Sequence, residues 1–312
     1  MKISTYLAPI FVFCVIGNMY AQELALFNIY DYGKPDDDTV AFISLSDVYP
    51  LSEHPDSLAV PDLRETEIED IRQFTYITLD SIYRKQFLAK TNVSEHDKVF
   101  IYSYLKNKLI SLPVCNLKVI AVLSPYADEN EISLNFNQYD YSIGFEVPKQ
   151  FLNDFETYYG NTFVYIGKKS PFVLNELIPI TWKGVGLNDF PISSITYDTL
   201  YAGKCTSGKV YSFETEDLSY FVKEWISLND NWIAAKHVLI KSRKTTKTIC
   251  EKLIYSGEST GFAELDNQWT GKLFKNKPPV ILGFTWEAYG CQSITLISPK
   301  QREIITNCDN RH

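Results

Sequence analysis

TEDLSYFVKEWIS, residues 215–227, is the stretch on which the fold class turns. Leu218, Phe221, Val222, Trp225 and Ile226 fall at i, i+3, i+4, i+7 and i+8, the apolar stripe of an amphipathic helix. Thr215 is a suitable N-cap, and Glu216 and Asp217 occupy the first turn, where a helix dipole favours acids. The stretch is therefore expected to be a helix with one face buried against a sheet. A second helix is expected after Pro148, with Phe151, Leu152, Phe155 and Tyr159 on one face and Gly160 ending it. A third, with a rougher stripe at Ile68, Ile71, Phe74, Leu79 and Ile82, is expected after Asp62.

Outward from these helices the chain reads as strands. Runs at 24–30, 40–45, 99–104, 117–123, 132–137, 142–147, 162–166 and 177–182 are β-branched or aromatic, and turn residues separate them. Beyond the Gly- and Pro-containing stretch 184–191 (GVGLNDFP), further strands are expected at 194–201, 209–213, 232–241, 248–255, 280–286, 292–297 and 302–307. Strands outnumber helices and rarely alternate with them, so a doubly wound sheet is disfavoured. The expected fold is α+β and β-rich, with mainly antiparallel sheets and two or three packed helices. The stretch 184–191 divides it into an N-terminal α+β region, 22–183, and a C-terminal β-rich region, 192–312, unless the two form one continuous domain.

Residues 1–21 read as an export signal. Lys2 supplies the positive start, Tyr6–Ile16 an apolar run, and Ala21 a small residue before the expected cut at Gln22. The run is too short for a lasting membrane span, and no later stretch is long and apolar enough for one. Cys14 lies inside the run, away from a lipoprotein attachment position. An apolar fraction of 45 % is ample for a core and argues against disorder. The net charge of -8 disfavours nucleic acid and anionic lipid as partners. The 21 Tyr and 19 Phe, with abundant Asn, Lys and Ile, give a composition that resembles exported proteins of Bacteroidetes-type bacteria. An envelope protein or a glycan is the partner this setting suggests.

Motifs for chemistry are sparse. Gly257–Gly261 (GESTG) matches the G-x-S-x-G of a nucleophile elbow, but the only later histidine is His312, so Ser259 reads as a surface-turn residue. Ser103 and Lys106 match S-x-x-K at a strand end without the companion motifs. His54 and His96 sit in polar loops, and His237 lies in an apolar strand, where a structural role is expected. Asp36–Asp38 and Asp128–Ser133 are acidic turns without a complete calcium-loop pattern. No catalytic residue, metal ligand or cofactor is assigned. Dispersed carboxylates could still pair in space, and the many aromatics could stack on sugars or fill a core.

Of six cysteines, Cys14 lies in the leader, which leaves Cys115, Cys205, Cys250, Cys291 and Cys308. A two-residue turn at Pro299-Lys300 would set Ile294 against Ile305 and Cys291 against Cys308. That would be a non-hydrogen-bonded pair, with Cα atoms about 4.5 Å apart, within reach of a disulfide. A Cys291–Cys308 bridge is expected there. Cys205–Cys250 follows by elimination, and Cys115 remains as a buried thiol. The function expected is that of an exported, non-enzymatic binding or scaffolding protein. The alternatives are a secreted hydrolase of glycan or peptide and a periplasmic inhibitor or immunity-type protein. A deep cleft with two carboxylates would favour the hydrolase, and exposed aromatics would favour binding.

Overall fold

The computed structural model describes residues 24–33, 39–62, 74–124, 137–153, 155, 160–193, 204–229, 231–257, 260–287, 291–300 and 302–308. It is a β-rich fold. Among the described residues there is one α-helix, α1 (Ser81–Lys90), and no helix long and apolar enough to cross a membrane. The expected α+β class with two or three packed helices is therefore corrected.

The decisive stretch is a strand. β13 (Leu218–Ser227) lies between β12 (Cys205–Glu214) and β14 (Ile233–Ser242), antiparallel to both. Its residues explain the outcome. Tyr220, Phe221, Val222, Trp225 and Ile226 are all β-branched or aromatic, and such side chains suit a pleated surface better than a helix. Both faces of the strand receive apolar residues, and in that case periodicity does not separate strand from helix. Tyr220 and Val222, 2 % and 0 % exposed, point into the core on alternate positions. Thr215 keeps a capping bond, but in a hairpin turn: its hydroxyl accepts the N–H of Leu218, and its own N–H donates to Leu218 O. The same side-chain-to-backbone bond that opens a helix here joins β12 to β13.

The other two helices are corrected likewise. After Pro148 there is one 3-10 turn, Lys149–Phe151, with Leu152 and Phe155 buried beyond it, and Tyr159 lies outside the described residues. In the region after Asp62, residues 63–73 lie outside the description, Leu79 ends strand β4 (Tyr76–Leu79), and Ile82 falls on the exposed side of α1.

The strands form three large sheets. The first has nine strands in the order β10-β17-β18-β20-β21-β1-β9-β5-β6. They are β10 (Leu177–Pro179), β17 (Trp269–Gly271), β18 (Val280–Leu282), β20 (Ser293–Leu296), β21 (Glu303–Asn307), β1 (Leu26–Phe27), β9 (Thr162–Gly167), β5 (Lys98–Ser103) and β6 (Lys108–Pro113). All neighbours are antiparallel except β1 and β21, which pair in parallel and join N- and C-terminal segments in mid-sheet. The second sheet, β2-β3-β8-β7-β4, adds β2 (Tyr30–Gly33), β3 (Thr39–Ser44), β8 (Tyr141–Val147) and β7 (Lys118–Leu123). The third is a consecutive meander, β11-β12-β13-β14-β15, from β11 (Lys183–Val185) to β15 (Thr248–Tyr255). A two-stranded ribbon pairs β16 (Thr260–Phe262) with β19 (Thr285–Glu287).

Alternation along β5 shows how these layers share cores. Val99 and Ile101 face Ile43, Val119, Ile143 and Phe145 of the second sheet, with Phe87 and Leu88 of α1 completing the cluster. Phe100 and Tyr102 point the other way and share a cluster with Leu177, Val280, Leu282 and Ile294 from the far end of their own sheet. The nine-stranded sheet thus curls until its two ends meet over one core. The meander packs Tyr220, Val222, Val238 and Ile240 against Ile281, Phe284 and Ile297.

The final hairpin is shifted by one residue from the expected register. Ile294 faces Ile304, not Ile305, and Ile305 is exposed. Ser293 pairs with Ile305 and Leu296 N donates to Arg302 O, so the turn is longer than Pro299-Lys300 alone. Cys291 and Cys308 nonetheless form a disulfide, with Cα atoms 5.4 Å apart. Both lie just outside the paired strands, so the ladder's alternation does not fix where their side chains point. Two other cysteine expectations are corrected. Cys205 and Cys250 are not bonded to each other, because β13 and β14 separate β12 from β15. Cys250, not Cys115, is the buried thiol, and Cys115 is exposed in the turn before β7.

Candidate functional site

The ribbon β16–β19 stands beside the curled end of the nine-stranded sheet, and a cleft of about 490 Å³ opens there. The size falls within the range of about 300–1,000 Å³ common for small-ligand sites. Aromatic side chains and amides line it together: Tyr104, Trp269 and Trp286 with Asn28, Asn267 and Gln292. Asp266 is the one carboxylate among the described lining residues.

Each wall has a local cause. Trp286, on β19, is opposite Gly261 of β16. A Cβ at position 261 would meet the indole Cε2, Cζ2 and Nε1 at 2.3 to 2.4 Å, so the ring lies across the bare glycine backbone. With one side supported in this way, Trp286 remains 56 % exposed at the cleft. The back wall is Tyr104, in the turn after β5. Its ring stacks on Phe163 at 5.4 Å and meets Trp269 edge-to-face at 5.4 Å. The Tyr104 hydroxyl donates to Gly160 O at 2.7 Å. Burial pushes its phenol up to about 12, against the opposing pull of a hydrogen bond with Gln292. The floor is the 3-10 turn Leu265–Asn267, which carries Asp266 and Asn267. Gly283 passes close over it with φ +79°, and a Cβ there would stand 2.2 Å from Asn267 O. Only glycine accepts both the conformation and the approach.

A second polar cluster lies on the meander. His237 of β14 is 1 % exposed, and its Nε2 stands 3.0 Å from Glu251 Oε1 of β15. Ser193 Oγ lies 3.4 Å from the same nitrogen, and its hydroxyl donates to the same Glu251 oxygen. Phe190 covers the imidazole at 5.0 Å, and the Lys223 ammonium stands over the Phe190 and Trp225 rings at 4.9 and 4.1 Å. A serine–histidine–acid relay needs one imidazole nitrogen on the acid and the other on the serine. Here both partners meet Nε2, so the arrangement is a closed hydrogen-bond triangle. Burial pulls the imidazole below its ordinary range, and Glu251 opposes this. The structural role expected of His237 fits this setting.

The remaining singled-out residues do not converge on either site. Ser259, Asp36–Asp38 and Asp128 lie outside the described residues. Ser103 is 1 % exposed at the end of β5, and its hydroxyl accepts the N–H of Lys106 in a turn. His54 and His96 are on exposed loops, and His54 Nδ1 accepts the N–H of Asp56. Sequence reasoning missed the cleft. Trp286 ended an expected strand, Gly261 was part of a turn motif, and Asp266 carried no signal. The Trp and the Gly that face each other are separated by β17 and β18, so no local turn signal announced their pairing. No protein-family model matches the chain, and no curated protein or solved structure is found to be similar to it.

Proposed function

We propose that the chain is an exported, non-enzymatic binding protein, and that its ligand is a small polar molecule held in the cleft beside Trp286. The observation that carries this is a solvent-facing indole, braced from behind by Gly261, at the mouth of a cleft lined by amides. Large exposed aromatics in a concave polar setting are costly to leave wet and are characteristic of recognition surfaces. Hydrolysis of a glycan needs two carboxylates facing the scissile bond. Asp266 lines the cleft without a second carboxylate among the described residues, which suits binding better. Export rests on residues 1–21 alone. Intact-mass measurement of the protein recovered from outside the cytoplasm is expected to show a chain that begins at Gln22.

Thermal-shift screening tests the binding role. A panel of sugars, short peptides and amines is applied to the wild type and to Trp286→Ala. The expected result is that at least one compound raises Tm in the wild type and not in the variant. Equal shifts in both proteins would place binding elsewhere, and no shift in either would remove the proposal.

A further inference from the structure

The geometry points to a neutral oligosaccharide as the occupant of the Trp286 cleft, an inference that rests on the binding role proposed above. Three features select the class. First, the open face of Trp286 offers a flat apolar platform of the kind that receives the C–H face of a pyranose ring. Second, Asn28, Asn267 and Gln292 carry amides, and each amide offers both a donor and an acceptor. Neighbouring hydroxyls of a sugar need that same pairing, since each hydroxyl donates once and accepts twice. Third, the charge is one-sided. Asp266 lines the cleft, and no Lys or Arg does so among the described residues. A carboxylate, phosphate or sulfate group would meet Asp266 uncompensated, whereas a pair of sugar hydroxyls can donate to it.

The rival chemistry is a cation, which could use the indole face and Asp266 together. The amide lining argues against it, because a quaternary ammonium has neither donor nor acceptor to offer the amides, whereas a sugar hydroxyl has both. A purely apolar ligand fails for the same reason.

Isothermal titration of the full chain with four kinds of probe decides the matter. These are neutral hexasaccharides (cellohexaose, maltohexaose and mannohexaose), an oligogalacturonate, choline together with an oligolysine, and a neutral alanine peptide. At least one neutral hexasaccharide should bind, and oligogalacturonate should not. The affinity should hold within about twofold between low and high salt, because no ion pair is formed. Trp286→Ala should weaken binding about tenfold, with the far-UV spectrum unchanged. Asp266→Asn should weaken it less, because an amide oxygen still accepts a hydroxyl. Binding of choline or oligolysine instead, lost at high salt and in Asp266→Asn, would overturn the neutral-sugar class while leaving the cleft as the binding site. Binding of the alanine peptide alone, abolished by Trp286→Ala, would do the same. If no probe binds, or if Trp286→Ala binds as well as the wild type, both the class and the cleft reading fail.

Discussion

His237 shows how one buried side chain makes stability depend on pH. Glu251 and Ser193 meet its Nε2, Phe190 covers its ring, and Lys223 adds positive charge nearby, while burial holds the imidazole neutral. The unfolded chain takes up this proton near pH ~6.5, before the folded chain does. Below that pH the unfolded state binds more protons, so stability falls as pH falls. Denaturant titrations between neutral and mildly acid pH should show this loss, and His237→Gln should flatten it. An unchanged slope in the variant would count against the buried neutral imidazole. Tyr104 works at the other end of the scale. Its phenol is pushed up to about 12 in the fold, whereas a free tyrosine ionises near ~10. Between those values the unfolded chain loses its proton first, so stability declines as pH rises. Tyr104→Phe should reduce that alkaline decline. Gly261 is a positioning residue of the same scale. A methyl at Gly261 would displace the Trp286 indole, so Gly261→Ala should weaken ligand binding several-fold with little change in Tm. A normal affinity in that variant would show that the ring does not depend on its glycine seat.

At the scale of elements, β13 gives the sharpest contrast between a helix and a strand. A helix through Leu218, Phe221, Val222 and Trp225 would place Tyr220 on the opposite, solvent-facing side. The strand puts Tyr220 in the core at 2 % exposure, with its hydroxyl 3.0 Å from Thr270 Oγ1. Tyr220→Ala should therefore cost about 3–5 kcal/mol, the loss expected for a buried aromatic. A loss below about 0.5 kcal/mol, as at an exposed site, would contradict the strand. The Cys291–Cys308 bridge spans a separation of 17 residues, and in the loop-entropy model it contributes about 3 kcal/mol. Replacing both cysteines by serine should lower stability by about that amount, read as a shift in the denaturation midpoint.

Local strand signals were legible because each run carries its own chemistry. The run 248–255 has the bounds of β15, and the runs at 40–45, 99–104, 117–123, 142–147 and 162–166 match β3, β5, β7, β8 and β9 to within a residue at each end. The helices were not legible, because an apolar stripe with an acidic first turn also fits a strand that carries apolar residues on both faces and is entered by a hairpin. The cysteine pairing came from turn counting whose register was one residue off. It succeeded because both cysteines sit beyond the ladder. The cleft was illegible for a different reason. Asp266, Trp286 and Gln292 belong to one C-terminal segment, but Tyr104 follows β5 at the far end of the sheet, and only the curl of the nine-stranded sheet brings it to them.

For the whole molecule, the parallel pair β1–β21 ties the first described strand to the last in the middle of the nine-stranded sheet. That sheet takes strands from both sides of the stretch 184–191, and its two ends share one core. Cores joined in this way should melt together, so calorimetry is expected to show a single transition whose calorimetric and van't Hoff enthalpies agree. Two separate transitions would show that the chain folds as independent halves. The central claim, that the cleft beside Trp286 is where the ligand sits, is tested most directly by fluorine NMR on the fluorotryptophan-labelled protein. The chain has five tryptophans, and Trp286→Phe identifies the signal of Trp286. Adding the neutral hexasaccharides should shift the Trp286 signal while those of Trp182 and Trp225 stay in place. A Trp286 signal that does not move at saturation, or a shift confined to the exposed Trp232, would contradict the account.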